Sequence, residues 1–163
     1  MIKGIQGIHH VGISVPDIDA ARTFYCDVLG MEATTPWNFS PSERGDEILE
    51  LEGASARTLL VRAGNMHLEL FEFTSPTPRT RDEPRRVCDH GFTHLGFEVE
   101  REAIEDVFAE LESAGVRWHA PLSTDEDGFT ATYGRDPFGN AIEIQSVPPD
   151  SEFGVGQLPR WKR

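Results

Sequence analysis

The sequence has 163 residues, 38% of them apolar, and its 28 acidic residues against 15 basic ones give a formal net charge of −13. That length suits one ordinary domain with a hydrophobic core of its own. The acidic balance repels phosphate backbones and anionic lipid, so neither nucleic acid nor a membrane surface is an expected partner. No apolar run reaches the length of a membrane span, and Met1-Ile2-Lys3-Gly4 does not open a signal-peptide layout. Two cysteines, Cys26 and Cys88, are too few for a disulfide scaffold. A soluble, cytoplasmic protein is the expectation.

In chain order, residues 8–30 read as a short strand, a turn and an amphipathic helix. Asp17 is placed to cap the helix after Pro16, Ala20, Ala21, Phe24, Val28 and Leu29 form its apolar stripe, and Gly30 stops it. Strand candidates follow at Thr58–Val61 and in GNMHLELFEF, residues 64–73. Residues 75–89 are rich in proline and charge, with Arg79, Arg81, Arg85 and Arg86, and read as a solvated linker rather than an anion-binding arm. Residues 92–115 then repeat the opening pattern: Ala103, Ile104, Val107, Phe108 and Leu111 make the stripe and Gly115 the stop. A strand candidate at Phe129–Tyr133 precedes GNAIEIQSV, residues 139–147, and residues 148–163 form a tail.

The halves match residue by residue. Offset by 84, His10 falls on His94, Gly12 on Gly96, Val15 on Val99 and Phe24 on Phe108; offset by 74, Leu68-Glu69-Leu70 falls on Ile142-Glu143-Ile144. The chain is therefore read as two copies of one unit, each a strand, a helix and three further strands. The boundaries are module 1 at 1–74, linker at 75–89 and module 2 at 90–147, together one domain over 1–147, with the tail at 148–163.

Strand alternation selects the chemistry. Side chains two apart share a face, so His10 and Gly12 lie together, as do His67, Glu69, Phe71 and Phe73. His94, Gly96 and Glu98 share a face in the second copy, as do Ala141, Glu143 and Gln145. The opposite faces are mainly aliphatic and suit packing under a helix. A lone strand histidine or glutamate is ordinarily solvated, but His10, Glu69, His94 and Glu143 recur at equivalent places in both copies. If the copies pack side by side the four converge, and two facing carboxylates are costly to bury without a cation between them. His9 alternates onto the aliphatic face, His67 could support Glu69 from the same face, and Tyr133 could hydrogen-bond a substrate oxygen.

These residues carry a resemblance. His10-Val11-Gly12-Ile13, Phe24-Tyr25 with Leu29-Gly30, Leu68-Glu69-Leu70, His94-Leu95-Gly96-Phe97 and Asp136-Pro137-Phe138-Gly139-Asn140 before Glu143 together resemble the vicinal oxygen chelate superfamily of glyoxalases, bleomycin-resistance proteins and extradiol dioxygenases. The resemblance implies an α+β fold of two βαβββ modules forming an open, eight-stranded, cup-like half-barrel around a metal. It implies His10, Glu69, His94 and Glu143 as metal ligands, with a homodimer as the expected assembly. Two imidazoles and two carboxylates suit Fe, Mn, Co, Ni or Zn better than calcium or magnesium. Four protein donors leave two positions for a small substrate with vicinal oxygens, and a polarised carbonyl acidifies the C–H beside it. The expected activity is that of a metal-dependent lyase or isomerase of glyoxalase or epimerase type, with Glu69, Glu143 and Tyr133 as catalytic residues.

Two other readings stand beside it. An extradiol-type Fe(II) dioxygenase would use His10, His94 and Glu143 alone, and the spacing of Tyr133 to Glu143 resembles that pattern. A non-catalytic small-molecule binding or resistance protein would not need all four ligands. The chain departs from particular subfamilies: Leu70-Phe71-Glu72-Phe73 after Glu69 lacks the tyrosine-asparagine continuation of bacterial glyoxalase I, and the segment before Glu143 is the general form rather than the longer epimerase one.

Overall fold

The computed structural model describes residues 7–64, 66–79, 85–152 and 154–157. The chain divides into two compact units, Met1–Thr80 and Arg81–Arg163. In the first, β1 (His10–Ser14) leads through α1 (Ile18–Arg22) to β2 (Glu32–Ala33), β3 (Trp37–Phe39), α2 (Glu43–Leu49), β4 (Ser55–Ala63) and β5 (Met66–Ser75). In the second, β6 (Leu95–Glu98) leads to α3 (Ile104–Ser113), β7 (Arg117–Trp118), β8 (Ser123–Thr124), β9 (Thr130–Arg135) and β10 (Ala141–Ser146). The two sheets have the same open topology, β1-β5-β4-β2 and β6-β10-β9-β7, with β3 added on β4 and β8 on β9. In each, the first strand runs parallel to the last and the remaining pairings are antiparallel. The α+β class and the repeated unit are as expected.

Five strands per sheet replace the expected four because one strand of each unit is broken in two. Pro36 lies between β2 and β3 and Pro121 between β7 and β8, and a proline cannot donate to the ladder. A buried threonine holds each broken strand: Thr58 donates its hydroxyl to Trp37 O, and Thr132 donates to Ala120 O at 2.7 Å. Their places in register differ, Thr58 lying opposite Phe71 and Thr132 opposite Ile144.

Asp17 caps α1 as expected, its Oδ1 accepting from Asp19 N and Ala20 N at 2.9 and 3.0 Å. The apolar stripe differs. Thr23–Val28 is π-helical, and Leu29 N donates to Phe24 O at 3.0 Å. The wider turn shifts the buried face, so Ile18, Ala21, Phe24 and Tyr25 are buried while Ala20 and Val28 are exposed. Glu72, on the helix-facing side of β5, accepts from Ile18 N at 3.3 Å and pairs with Arg57 at 2.9 Å, tying helix to sheet. Beneath α1 the core is Leu59, Val61, Leu68 and Leu70; in the second unit it is Ile104, Leu111, Ile142 and Ile144. Gly134 is required by a close approach there, since a Cβ would stand 2.6 Å from the Trp118 ring and 2.9 Å from Arg117 O. Helix α2 has no buried residue, so hydrophobic periodicity gave no sign of it.

Residues 80–84 of the expected linker lie outside the described residues. Arg86 pairs with Asp89 at 3.3 Å, Arg85 donates to Asp89 O and His90 O, and Arg135 donates to Arg85 O, so these arginines build a local turn in the second unit. Residues 153 and 158–163 of the tail are likewise outside the description. Val155 N donates to Glu98 on β6 at 2.7 Å. Among the described residues no helix is long and apolar enough to cross a membrane.

The β9–β10 hairpin is set by Asp136, which is 2% exposed and accepts from Phe138 N, Asn140 N and Asn140 Nδ2 at 2.8–2.9 Å. Asp125 makes a similar turn on the surface, accepting from Asp127 N and Phe129 N at 3.0 and 2.9 Å. Donors that lose a buried partner stay unpaid, whereas exposed donors return to water. Asp136→Ala should therefore lower the unfolding free energy by about 2–3 kcal/mol and Asp125→Ala by under about 1 kcal/mol. Urea unfolding of both variants measures this, and equal losses would contradict it.

Candidate functional site

The parallel ladders place the candidate residues. In the first unit, His10 pairs in register with His67 and Gly12 with Glu69; in the second, Gly96 pairs with Glu143. Register partners share a face, so each glutamate lies beside a glycine, with a histidine two residues earlier on the glycine's own chain. Gly96 leaves room beside the Glu143 carboxylate, whereas beside Gly12 the Phe71 ring lies 3.4 Å from where a Cβ would stand. A Cβ at Gly96 would already stand 3.5 Å from Glu143 Oε2, and a longer side chain would take the carboxylate's place. The result is the same contact twice: His10 Nε2 to Glu69 Oε2 at 3.1 Å and His94 Nε2 to Glu143 Oε2 at 3.1 Å.

The surroundings differ. The His10 and Glu69 side chains are 41% and 16% exposed; those of His94 and Glu143 are 27% and 12% exposed. Tyr133 is the cross-strand partner of Glu143 on β9, and its ring meets His94 edge-on at a centroid distance of 4.9 Å. Burial first, then the charge of Glu143 and its carboxylate as a hydrogen-bond acceptor, hold the Tyr133 phenol above its ordinary value. Leu60 occupies the matching place opposite Glu69, so the first pair has no phenol beside it.

His9 departs from its expected place. Rather than joining the aliphatic face, it is exposed, stacks on His67 at 5.2 Å and meets His10 Nδ1 with its own Nδ1 at 2.8 Å. The reason is that β1 begins at His10, so strand alternation does not reach His9. His67 supports the pair at one remove, its Nδ1 donating to His9 O at 3.2 Å. In the second unit Thr93 Oγ1 meets His94 Nδ1 at 2.7 Å. The offset of 84 places His9 on Thr93, a signal present in the sequence and not read from it.

Each pair presents a neutral nitrogen donor and an anionic oxygen donor pointing at each other, a mixed N/O set fitted to a borderline divalent cation. Among the described residues no three His, Cys, Asp or Glu side chains form a group that could hold a metal ion.

The Glyoxalase/Bleomycin resistance protein/Dioxygenase superfamily model matches residues 7–144, and the chain belongs to that superfamily. It is 34% identical to a 2-epi-5-epi-valiolone epimerase from Actinomyces sp, over 93% of this chain and 85% of that enzyme. It is 30% identical to lactoylglutathione lyase from Schizosaccharomyces pombe, over 85% of this chain and 47% of that enzyme. A crystal structure of a glyoxalase family protein from Bacillus cereus has the same fold, with a TM-score of 0.79 at 20% identity, covering 90% of this chain and 97% of that one.

The Tyr133–Glu143 contact makes a prediction for the metal-free protein, whose two tyrosines are Tyr25, fully buried, and Tyr133. Replacing Glu143 by Gln removes a nearby negative charge, which opposes phenolate formation, but leaves burial in place. In Glu143→Gln, Tyr133 should ionise at lower pH than in the parent yet still above the ordinary phenol value of about 10. Ultraviolet titration of the phenolate band measures it; an unchanged or higher midpoint would contradict the contact.

Proposed function

We propose that this superfamily member is a divalent-metal-dependent enzyme that transfers a proton at the carbon beside a carbonyl, as an epimerase or glyoxalase-type lyase does. The observation that carries the reading is the repeated His–Glu pair, with identical 3.1 Å contacts in both units. We assign His10, Glu69, His94 and Glu143 as the residues that hold one cation. Bound there, a divalent ion such as Fe, Mn, Co, Ni or Zn would bind vicinal oxygens and polarise a carbonyl so that the neighbouring C–H becomes acidic.

The chain's own groups divide the remaining work. Tyr133 stands in register opposite Glu143 with its ring edge-on to His94, and is assigned to orient that carboxylate through its phenol. Opposite Glu69 stands Leu60, which offers no hydrogen bond, so Glu69 is assigned as the carboxylate that takes the proton from carbon. Glu69 then returns that proton to the substrate skeleton, so the transfer balances on one carboxylate. The Phe71 and Phe73 rings, stacked at 5.5 Å on the same strand face as Glu69, offer an apolar wall that limits water near the reacting carbon. The relative named for 2-epi-5-epi-valiolone supports a small hydroxylated ketone as substrate, and the lyase relative supports proton transfer more generally.

Protein loaded in turn with Mn(II), Co(II), Ni(II), Zn(II) or Fe(II) should exchange the α-proton of 2-epi-5-epi-valiolone or of a glutathione hemithioacetal with deuterium, and chelation should abolish the exchange. Glu69→Gln should slow it by about 10²–10⁴-fold. Glu143→Gln should also lose metal, whereas Glu72→Gln, whose carboxylate faces Arg57 and α1, should retain both metal and exchange. Oxygen uptake on catechols with no α-proton exchange would replace this reading with ring cleavage. Tight binding of these compounds without turnover would replace it with a binding protein.

A further inference from the structure

The residue immediately before each site histidine touches that histidine from behind. His9 Nδ1 lies 2.8 Å from His10 Nδ1, and Thr93 Oγ1 lies 2.7 Å from His94 Nδ1. These neighbours occupy equivalent places in the two copies, although one is an aromatic base and the other a small alcohol. The front nitrogen of each histidine faces a carboxylate oxygen at 3.1 Å. An ionised carboxylate only accepts, so the front nitrogen carries the proton and the rear nitrogen is the acceptor. The direction of every bond then follows. His9 Nδ1–H donates to His10, and His10 Nε2–H donates to Glu69. Thr93 O–H donates to His94, and His94 Nε2–H donates to Glu143.

From this we infer that His9 and Thr93 are positioning residues for the two His–Glu pairs, holding each imidazole by its rear nitrogen. The inference rests on the assignment of His10 and His94 as ligands. Imidazole and hydroxyl share a property that a backbone N–H or a carboxylate lacks: each can donate or accept. A histidine that offers its front lone pair must carry its proton at the rear, and His9 or Thr93 can receive that bond as readily as give one. The first anchor is braced further, because His9 stacks on His67 with an interplanar angle of 20° and His67 donates to its carbonyl. Position 93 lacks such a brace and does not need it, since a threonine has a single side-chain torsion that aims its hydroxyl.

The variants are Thr93→Val and His9→Phe, which keep shape and stacking but remove the hydrogen bond, with Thr93→Ser as the conservative rescue and Thr93→Ala as a second deletion should valine unfold the protein. Both positions of substitution are exposed, and thermal melts confirm the fold. Two-bond ¹H–¹⁵N spectra of the histidines in metal-free protein at pH 8 read the tautomer without any cation. In the parent, His10 and His94 should show the Nε2–H form; Thr93→Val should mix the forms at His94 only, and His9→Phe at His10 only. Competition for Zn(II) against a fluorescent chelator should show about 10–100-fold weaker binding in both, with Thr93→Ser close to the parent. Parent-like tautomers and Zn(II) affinity in Thr93→Val and His9→Phe would overturn the inference. A parent protein that binds no Zn(II) would instead defeat the ligand assignment, while the metal-free spectra would still decide whether the two anchors hold their rings.

Discussion

A glycine facing a glutamate across two parallel strands is the constraint on which the site depends. Gly12 lies in register with Glu69 and Gly96 with Glu143, and each carboxylate reaches the histidine two residues before that glycine. The parallel pairing matters as much as the glycine. Because β1 and β5 run the same way, as do β6 and β10, the histidine and the glutamate are fixed by one register, and a slip of one residue would turn either group to the helix side. Everything else in each unit secures that register. Val61, Leu68 and Leu70 in the first unit, with Ile142 and Ile144 in the second, bury the opposite face. Asp136 locks the hairpin that delivers Glu143, and Glu72 pins the start of α1 to β5.

The two units share a frame and differ in detail, and those differences suggest a division of labour. The second pair is the more enclosed, backed by Tyr133 and Thr93; the first is more open, flanked by histidines and with Leu60 where a tyrosine stands in the other copy. A frame repeated twice gives two similar donor pairs. Asymmetry around them is what an enzyme needs if one carboxylate is to stay engaged while the other accepts a proton.

Much of this was legible in the residues. Asp17 as cap, Gly115 as stop (φ +99°), the buried aliphatic faces and the opposite faces that carry His10, Glu69, His94 and Glu143 follow from spacing and alternation, because they depend on local geometry and a two-residue period. Four features escaped for identifiable reasons. The π-helical turn at Thr23–Val28 changes a helical period that sequence reading assumes constant, exchanging Val28 for Tyr25 in the core. Helix α2 buries no side chain, so it carries no apolar stripe. The breaks at Pro36 and Pro121 divide strands that a pattern of hydrophobics treats as one. His9 lies just outside β1, where alternation ceases to govern direction, and its hydrogen bond to His10 is a tertiary fact with only the match to Thr93 to announce it.

Both His–Glu pairs are proposed to serve one cation. Zinc K-edge absorption of protein carrying one equivalent of Zn(II) per chain tests it most directly, since it counts imidazoles around the metal without reference to activity. Two imidazoles and oxygen donors, with no sulfur, is the result the account predicts. A single imidazole in the shell, or uptake of two zinc ions per chain with one imidazole each, would contradict it.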